Sequence, residues 1–230
     1  IFDFVGGYGY SIIIFTIMSI VGPMMVPFSY SDNNLLNTSE IPTKTHWFGT
    51  DALGRDLWAR VWVGARVSLL MAALLDTIIG ILVGGISGYY GGKVDMLIMR
   101  FIDIMIAIPS MIFIILIMVM VGSGVIPIIL SFAITGWLGM ARLVRGQILQ
   151  LKEQEFVLAA RTLGASSSRL ILRHLIPNTL GVIIVSLTMR IPGAIFTEAF
   201  LSFIGLSVKP PMSSWGQLAS TGASAMQVYP

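Results

Sequence analysis

The chain has no cysteine and only two histidines, His46 and His174, which lie far apart. That excludes disulfide staples, a catalytic thiol and thiolate metal sites, and it leaves no histidine cluster to hold a metal. Charge is scarce as well. Asp, Glu, Lys and Arg make up 11% of the 230 residues, against roughly a quarter in soluble domains. Hydrophobic residues reach 56% and mean hydropathy is +0.89. A protein core of this size cannot absorb such a deficit of polar surface, whereas a lipid-facing surface can. The chain therefore reads as an all-α polytopic membrane protein. Its formal charge of +3 comes from basic residues beside apolar spans, which argues against a nucleic-acid partner. Gly88-Tyr89-Tyr90-Gly91-Gly92-Lys93 has the wrong glycine spacing for a phosphate loop and no Ser or Thr after the lysine. No catalytic constellation is visible, so the chain should not hydrolyse ATP itself.

The apolar runs divide into five expected spans. Residues 8–28 carry no charge and suffice for roughly 30 Å of hydrocarbon. No small-residue cleavage site follows, so this run reads as a retained helix. Residues 29–66 form an outer loop. Its later part, with Trp47, Trp58 and Trp62 and the acid-before-base pairs Asp51–Arg55 and Asp56–Arg60, predicts a short interfacial helix capped by Thr50 or Asp51. Span two, 67–89, carries the small-residue stripe Gly80, Gly84, Gly88, which suits close helix packing, and it contains Asp76, which needs a partner. Span three, 96–121, holds Arg100 and Asp103 at a spacing that predicts a local ion pair, and Pro109 predicts a kink. Span four covers 125–141.

The loop at 142–175 is the most basic part of the chain. Arg142, Arg145, Lys152, Arg161, Arg169 and Arg173 face Glu153 and Glu155, against Lys44, Arg55, Arg60 and Arg66 in the opposing loop. Short Lys/Arg-rich loops stay in the cytoplasm. Span five, 176–200, contains Arg190, Pro192 and Glu198, which predicts an irregular outer half lining a wet or protein-filled interior. Arg190 and Glu198 are candidate pathway residues, although an internal ion pair is the simpler reading. Residues 201–230 read as an outer re-entrant or surface segment.

Within the basic loop, Phe156, Ala159, Ala160 and Leu163 recur at helical spacing as one apolar stripe. Glu155 and Arg161 flank it, Gly164 is placed to end the helix, and Ser166, Ser167 or Ser168 can cap the next. Small residues on such a stripe suit a helix that sinks into a groove on another protein. By periodicity alone, an ordinary water-facing helix–turn–helix fits equally well.

Ala159-Ala160, Gly164 and Pro177 have the spacing of the Glu-Ala-Ala…Gly…Ile-x-Leu-Pro hallmark, with Leu158, His174 and Ile176 departing from it. On this basis the chain resembles the permease subunits of bacterial ATP-binding-cassette importers. His46-Trp47-Phe48-Gly49-Thr50-Asp51, Gly54-Arg55-Asp56 and Gly64-Ala65-Arg66-Val67-Ser68-Leu69 narrow the resemblance, as do Leu201-Ser202-Phe203-Ile204-Gly205-Leu206 and Ser213-Ser214-Trp215-Gly216. They are similar to the second, C-type permeases of the dipeptide, oligopeptide and nickel branch. The resemblance implies a type I importer bundle in the bacterial inner membrane, with five spans here and a sixth in the full chain. It also implies a B-type permease partner, two cytoplasmic ATP-binding subunits that hold ATP and Mg, and an extracytoplasmic substrate-binding protein. It assigns ATPase coupling to Glu155, Phe156, Ala159, Ala160, Arg161, Leu163 and Gly164. Di- or oligopeptides are the expected cargo, with nickel or another small solute as the alternative. An ion-coupled secondary transporter, using Asp76, Asp103, Arg190 or Glu198 as a relay, is the competing class.

Overall fold

Apolar runs punctuated by proline and glycine build helices and little else. The computed structural model describes residues 2–69, 75–206 and 208–226. Helix α1 (Phe2–Val21) passes into a 3-10 turn, Gly22–Met25, at Pro23. After a long loop come α2 (Leu57–Leu69), α3 (Leu75–Tyr90), α4 (Gly92–Ala107), α5 (Ser110–Val121), α6 (Val125–Thr135) and α7 (Trp137–Leu151). Then follow α8 (Glu155–Thr162), α9 (Ser167–Arg169), a π-helical turn at Leu170–Leu175, α10 (Ile176–Phe203) and α11 (Trp215–Ala225). Among the described residues the only extended pairing is an isolated bridge between Thr50 and Asp56.

Among the described residues two helical stretches are long and apolar enough to cross a membrane, Val125–Leu151 and Ser167–Phe203. A third is gained if α4 and α5 count as one broken span, and Ile13–Met25 is a shorter apolar helix. The expected span at 67–89 includes residues 70–74, which lie outside the described residues, as do 227–230 of the outer segment. Large apolar side chains are turned outward on α1 (Ile13, Ile17, Ile20), α4 (Leu97, Phe101, Ile104) and α5 (Val119, Met120). Such a surface is solvated by lipid tails rather than by water.

Several expectations need correction. Span three is not merely kinked at Pro109: α4 and α5 meet at 78°. Proline lacks the N–H that would continue α4, and it holds the preceding Ile108 extended, with ψ of 126°. Span four does not stop near 141 but continues along α7 to Leu151, so Arg142 and Arg145 ride on a helix instead of a loop. There Arg145 clamps Asp95 through Nε and Nη2, both at 2.5 Å, and the Ser87 hydroxyl donates to the same carboxylate at 2.6 Å. Arg142 takes Asp103, so Asp103 is paired across helices and not with Arg100. The outer half of span five is regular helix through Arg190 and Pro192 to Phe203. At its other end the π-turn precedes Pro177 and avoids the i→i−4 bond that proline cannot make.

The interfacial helix also differs. Residues 51–56 form a turn, and helix begins at Leu57. Its cap is Asp56, whose Oδ1 accepts from the Ala59 N–H at 2.8 Å while Oδ2 holds His46 Nδ1 at 2.8 Å. Asp51 does pair with Arg55, at 2.7 Å, but Arg60 also turns to Asp51, at 3.5 Å, and not to Asp56. Helix α2 packs against α1, α10 and α11, burying Arg60, Val63, Ala65 and Ser68. It is therefore a wedge inside the bundle and not a surface anchor. The Trp58 indole donates to the Gly22 carbonyl at 2.8 Å, fixing the end of α1 to it.

Helix α3 lies along α7 on its glycine stripe. A Cβ at Gly80 would stand 2.6 Å from Met140 Cβ, one at Gly84 2.4 Å from the Ala141 carbonyl oxygen, and one at Gly88 2.8 Å from Ile148 Cβ. The obstacle at Gly84 is backbone, which cannot swing away. Gly84→Val is expected to lower the thermal unfolding midpoint in detergent, at a cost of about 1–3 kcal/mol as typical of overpacking. Gly146→Ala, on the open side of α7 with nothing within 4 Å, serves as the control. Equal midpoints for the Gly84 variant and wild type would contradict the close approach.

Candidate functional site: a helix seated on the bundle end

Helix α8 is only eight residues long, too short to persist in water without tertiary support. Three devices supply that support. Val157 is fully buried in a cluster with Met140, Val144 and Ile148 of α7, Leu170, Ile171 and Leu175 of the π-turn, and Ile183 of α10. Gly164 adopts φ of 84° and closes the helix with paired bonds, Gly164 N–H to the Arg161 carbonyl (3.0 Å) and Ala165 N–H to the Ala160 carbonyl (3.1 Å). This is the left-handed C-terminal closure that glycine permits at little cost. Finally, the Arg161 guanidinium sits 5.9 Å from the centre of the Tyr89 ring, and the Tyr89 hydroxyl donates to Ser167 Oγ at 3.3 Å. Glu155 in the first turn and Arg161 in the last suit the helix dipole. Of the three serines expected to cap the next helix, Ser166 does so, accepting from the Arg169 N–H.

The seat decides which face is free. Phe156 is 42% exposed and Leu163 87%, and Ala159 is exposed beside them. Ala160 is instead half-buried and packs inward with Val157, so the four-residue stripe inferred from spacing splits across two faces. Positions 156, 159 and 163 share one face, while 157 and 160 share another. Spacing alone cannot say which of the two meets the bundle. Glu155, Arg161 and Gly164 all lie on the exposed rim.

The other candidate residues fall elsewhere. Arg190 lines a cavity of about 340 Å³, with Met105, Ile108, Phe132, Thr135 and Thr197 among its walls, and its Nη1 donates to the Gly136 carbonyl at 2.7 Å. Glu198 is not among the lining residues. It is buried at the junction of α2, α10 and α11, where Oε2 accepts from Ser68 Oγ (2.9 Å) and the Gly216 N–H (3.3 Å). The two make no ion pair with each other, since they are eight residues apart on one helix and face different neighbours. Asp76 is buried against Gly136, where a Cβ would meet its Oδ2 at 1.6 Å. The Asp95–Arg145 clasp and the His46–Asp56 pair went unrecognised in the sequence, because partners fifty and ten residues apart leave no spacing signal.

Residues 78–229 match the model of the family described as the binding-protein-dependent transport system inner membrane component. The chain belongs to this family. It is 51% identical over 222 residues to the oligopeptide transport system permease protein OppC of Bacillus subtilis, covering 95% of this chain and 73% of that protein. It is 47% identical over 209 residues to the dipeptide transport system permease protein DppC of the same organism, with 90% and 65% covered. Against the OppC protein of Escherichia coli K12 the identity is 42% over 224 residues, with 95% and 74% covered. The permease is thus an integral inner-membrane subunit of the peptide branch of ATP-binding-cassette importers, and a transport subunit rather than an enzyme.

The absence of cysteine makes the seating of α8 directly measurable. Single cysteines at Phe156 and Leu163 are expected to react within minutes with a hydrophilic maleimide applied to inside-out membrane vesicles, and Val157→Cys to resist it unless denaturant is added. Equal labelling of all three would mean that α8 is not seated as described.

Proposed function

We propose that this permease pairs with a second, related permease subunit to form the path by which short peptides enter the cell. Two cytoplasmic ATP-binding subunits, which hold ATP and Mg, drive the pair, and an extracytoplasmic binding protein delivers the cargo. The observation that carries the coupling part of this reading is the free face of α8. Phe156, Ala159 and Leu163 are outward-facing apolar residues on a helix whose opposite side is locked into the bundle. A lone surface helix gains nothing from exposing Leu163, whereas a helix that fills a groove on a partner does. Glu155 and Arg161 would set charge complementarity at the rim, and Gly164 would keep the helix end closed and its length fixed. Mechanically, closure of the ATP-binding subunits would then displace α8 as a rigid body, and the bundle would exchange inward-facing for outward-facing states. The peptide-named relatives support peptides over nickel as cargo.

The test uses the assembled transporter in proteoliposomes. Ala159→Glu and Leu163→Glu leave Val157 and Ala160 in place, so both should reach the membrane folded. Both should nevertheless lose capture of the ATP-binding subunits and at least tenfold in peptide-stimulated ATP hydrolysis, the scale of removing a central apolar anchor. Undiminished hydrolysis in both variants would refute the coupling role of this face.

A further inference from the structure

We propose that Arg190 and the cavity it lines form a subsite for the terminal carboxylate of the transported peptide, an assignment that rests on the peptide-import reading above. A backbone interruption borders this cavity, the break between α4 and α5 at Ile108–Pro109, bent by 78°. Across from it the continuous α6–α7 span presents the carbonyl of Gly136 and the bare Cα of Gly139 to Arg190. An interrupted helix at membrane depth is tolerated only where protein or a wet cavity satisfies the freed backbone. The volume of about 340 Å³ lies within the range of small-ligand sites, roughly 300–1,000 Å³.

The polar inventory of the walls selects the ligand. Among the described residues, Arg190 is the only charged one lining the cavity. One guanidinium nitrogen, Nη1, is occupied by the Gly136 carbonyl. Among the described residues no carboxylate lies within ion-pair distance of Arg190. Asp76 acts on it electrostatically across Gly136 without closing a pair. A permanent, half-buried cation that no carboxylate pairs directly can take an anion on its remaining N–H groups. Ser110 adds a hydroxyl that can donate to the same anion, and the two threonines call for the opposite. Thr135 Oγ1 donates to the Ser131 carbonyl at 3.1 Å and Thr197 Oγ1 to the Gly193 carbonyl at 2.9 Å. Each hydroxyl has spent its proton and retains only lone pairs, so it accepts N–H groups. Met105, Ile108 and Phe132 supply apolar wall. One anion, nearby N–H donors and an apolar side chain together describe the carboxyl-terminal residue of a peptide.

The transporter is reconstituted in proteoliposomes with its partner subunits and binding protein. Uptake of a short peptide is compared with that of its carboxyl-terminal amide, each at concentrations that saturate the binding protein. Wild type should carry the free acid faster. Arg190→Gln should slow the acid on the order of ten- to hundredfold, the worth of a charge-assisted hydrogen bond, while uptake of the amide falls far less. Arg190→Lys should retain part of the preference. A preference that survives Arg190→Gln, or an equal loss for both peptides, would overturn the subsite. A peptide ending in a photoreactive residue provides a check that needs no variant: labelling of 105–109 or 132–139 supports the assignment, and labelling confined to other segments overturns it. Wild type that carries neither peptide would remove the peptide reading itself, and the subsite with it.

Discussion

The close approach of α3 to α7 is the constraint on which the rest of the bundle depends. Three glycines at four-residue spacing bring α3 to within backbone contact of α7. Hydrocarbon offers no hydrophobic drive between helices, so dispersion across a tight face must hold them. Once α7 is fixed in this way, its remaining faces are committed. Arg142 and Arg145 reach the carboxylates of α4, and Met140, Val144 and Ile148 are left to build the pocket that receives Val157. A bulkier α3 would push α7 outward and dissolve the ion pairs and the pocket together.

The seat of α8 follows from that arrangement. Its free energy comes from outside the helix: a valine inserted between α7 and the π-turn, a glycine closure, and an arginine resting on Tyr89 of α3. Burying one valine contributes roughly 1.5–3 kcal/mol, enough to hold eight residues whose own helix formation is unfavourable. Because none of the three attachments uses Phe156 or Leu163, both can stay exposed without loosening the helix.

Much of the fold and part of the candidate site were legible in the sequence. Membrane character followed from scarce charge and long apolar runs, and the glycine stripe, the Gly164 terminus and the serine cap from local chemistry that spacing reveals. What spacing could not reveal was anything decided by a distant neighbour. Positions 156, 159, 160 and 163 of α8 share a helical period, and only the Val157 pocket separates Ala160 from the others. Spacing offers Asp103 a partner three residues away, whereas α7 brings Arg142 to it. Pro109 announced a bend, but the 78° angle is set by what α4 and α5 pack against. Glu198 and Arg190 looked like a pair because both are charged in an apolar run, whereas helix rotation sends one to the Ser68–Gly216 junction and the other to the cavity.

The geometry also limits how a displacement of α8 travels, on the coupling reading proposed above. Two elements share the buried cluster of Val157 and also reach the cavity. One is α7, whose Val144 and Ile148 lie in that cluster and whose Leu138 and Gly139 line the cavity, Ile148 and Gly139 being nine residues and about 14 Å of unbroken α-helix apart at 1.5 Å per residue. The other is the chain from the π-turn through α10, which reaches Arg190 only after passing Leu170–Leu175, a wider turn with weaker axial restraint than α-helix. Of the two, α7 is the stiffer strut. It ends at Gly136, whose carbonyl holds Arg190 and whose bare Cα accommodates Asp76. A rigid displacement of α7 would therefore move the cavity wall and the anchor of Arg190 in a single step.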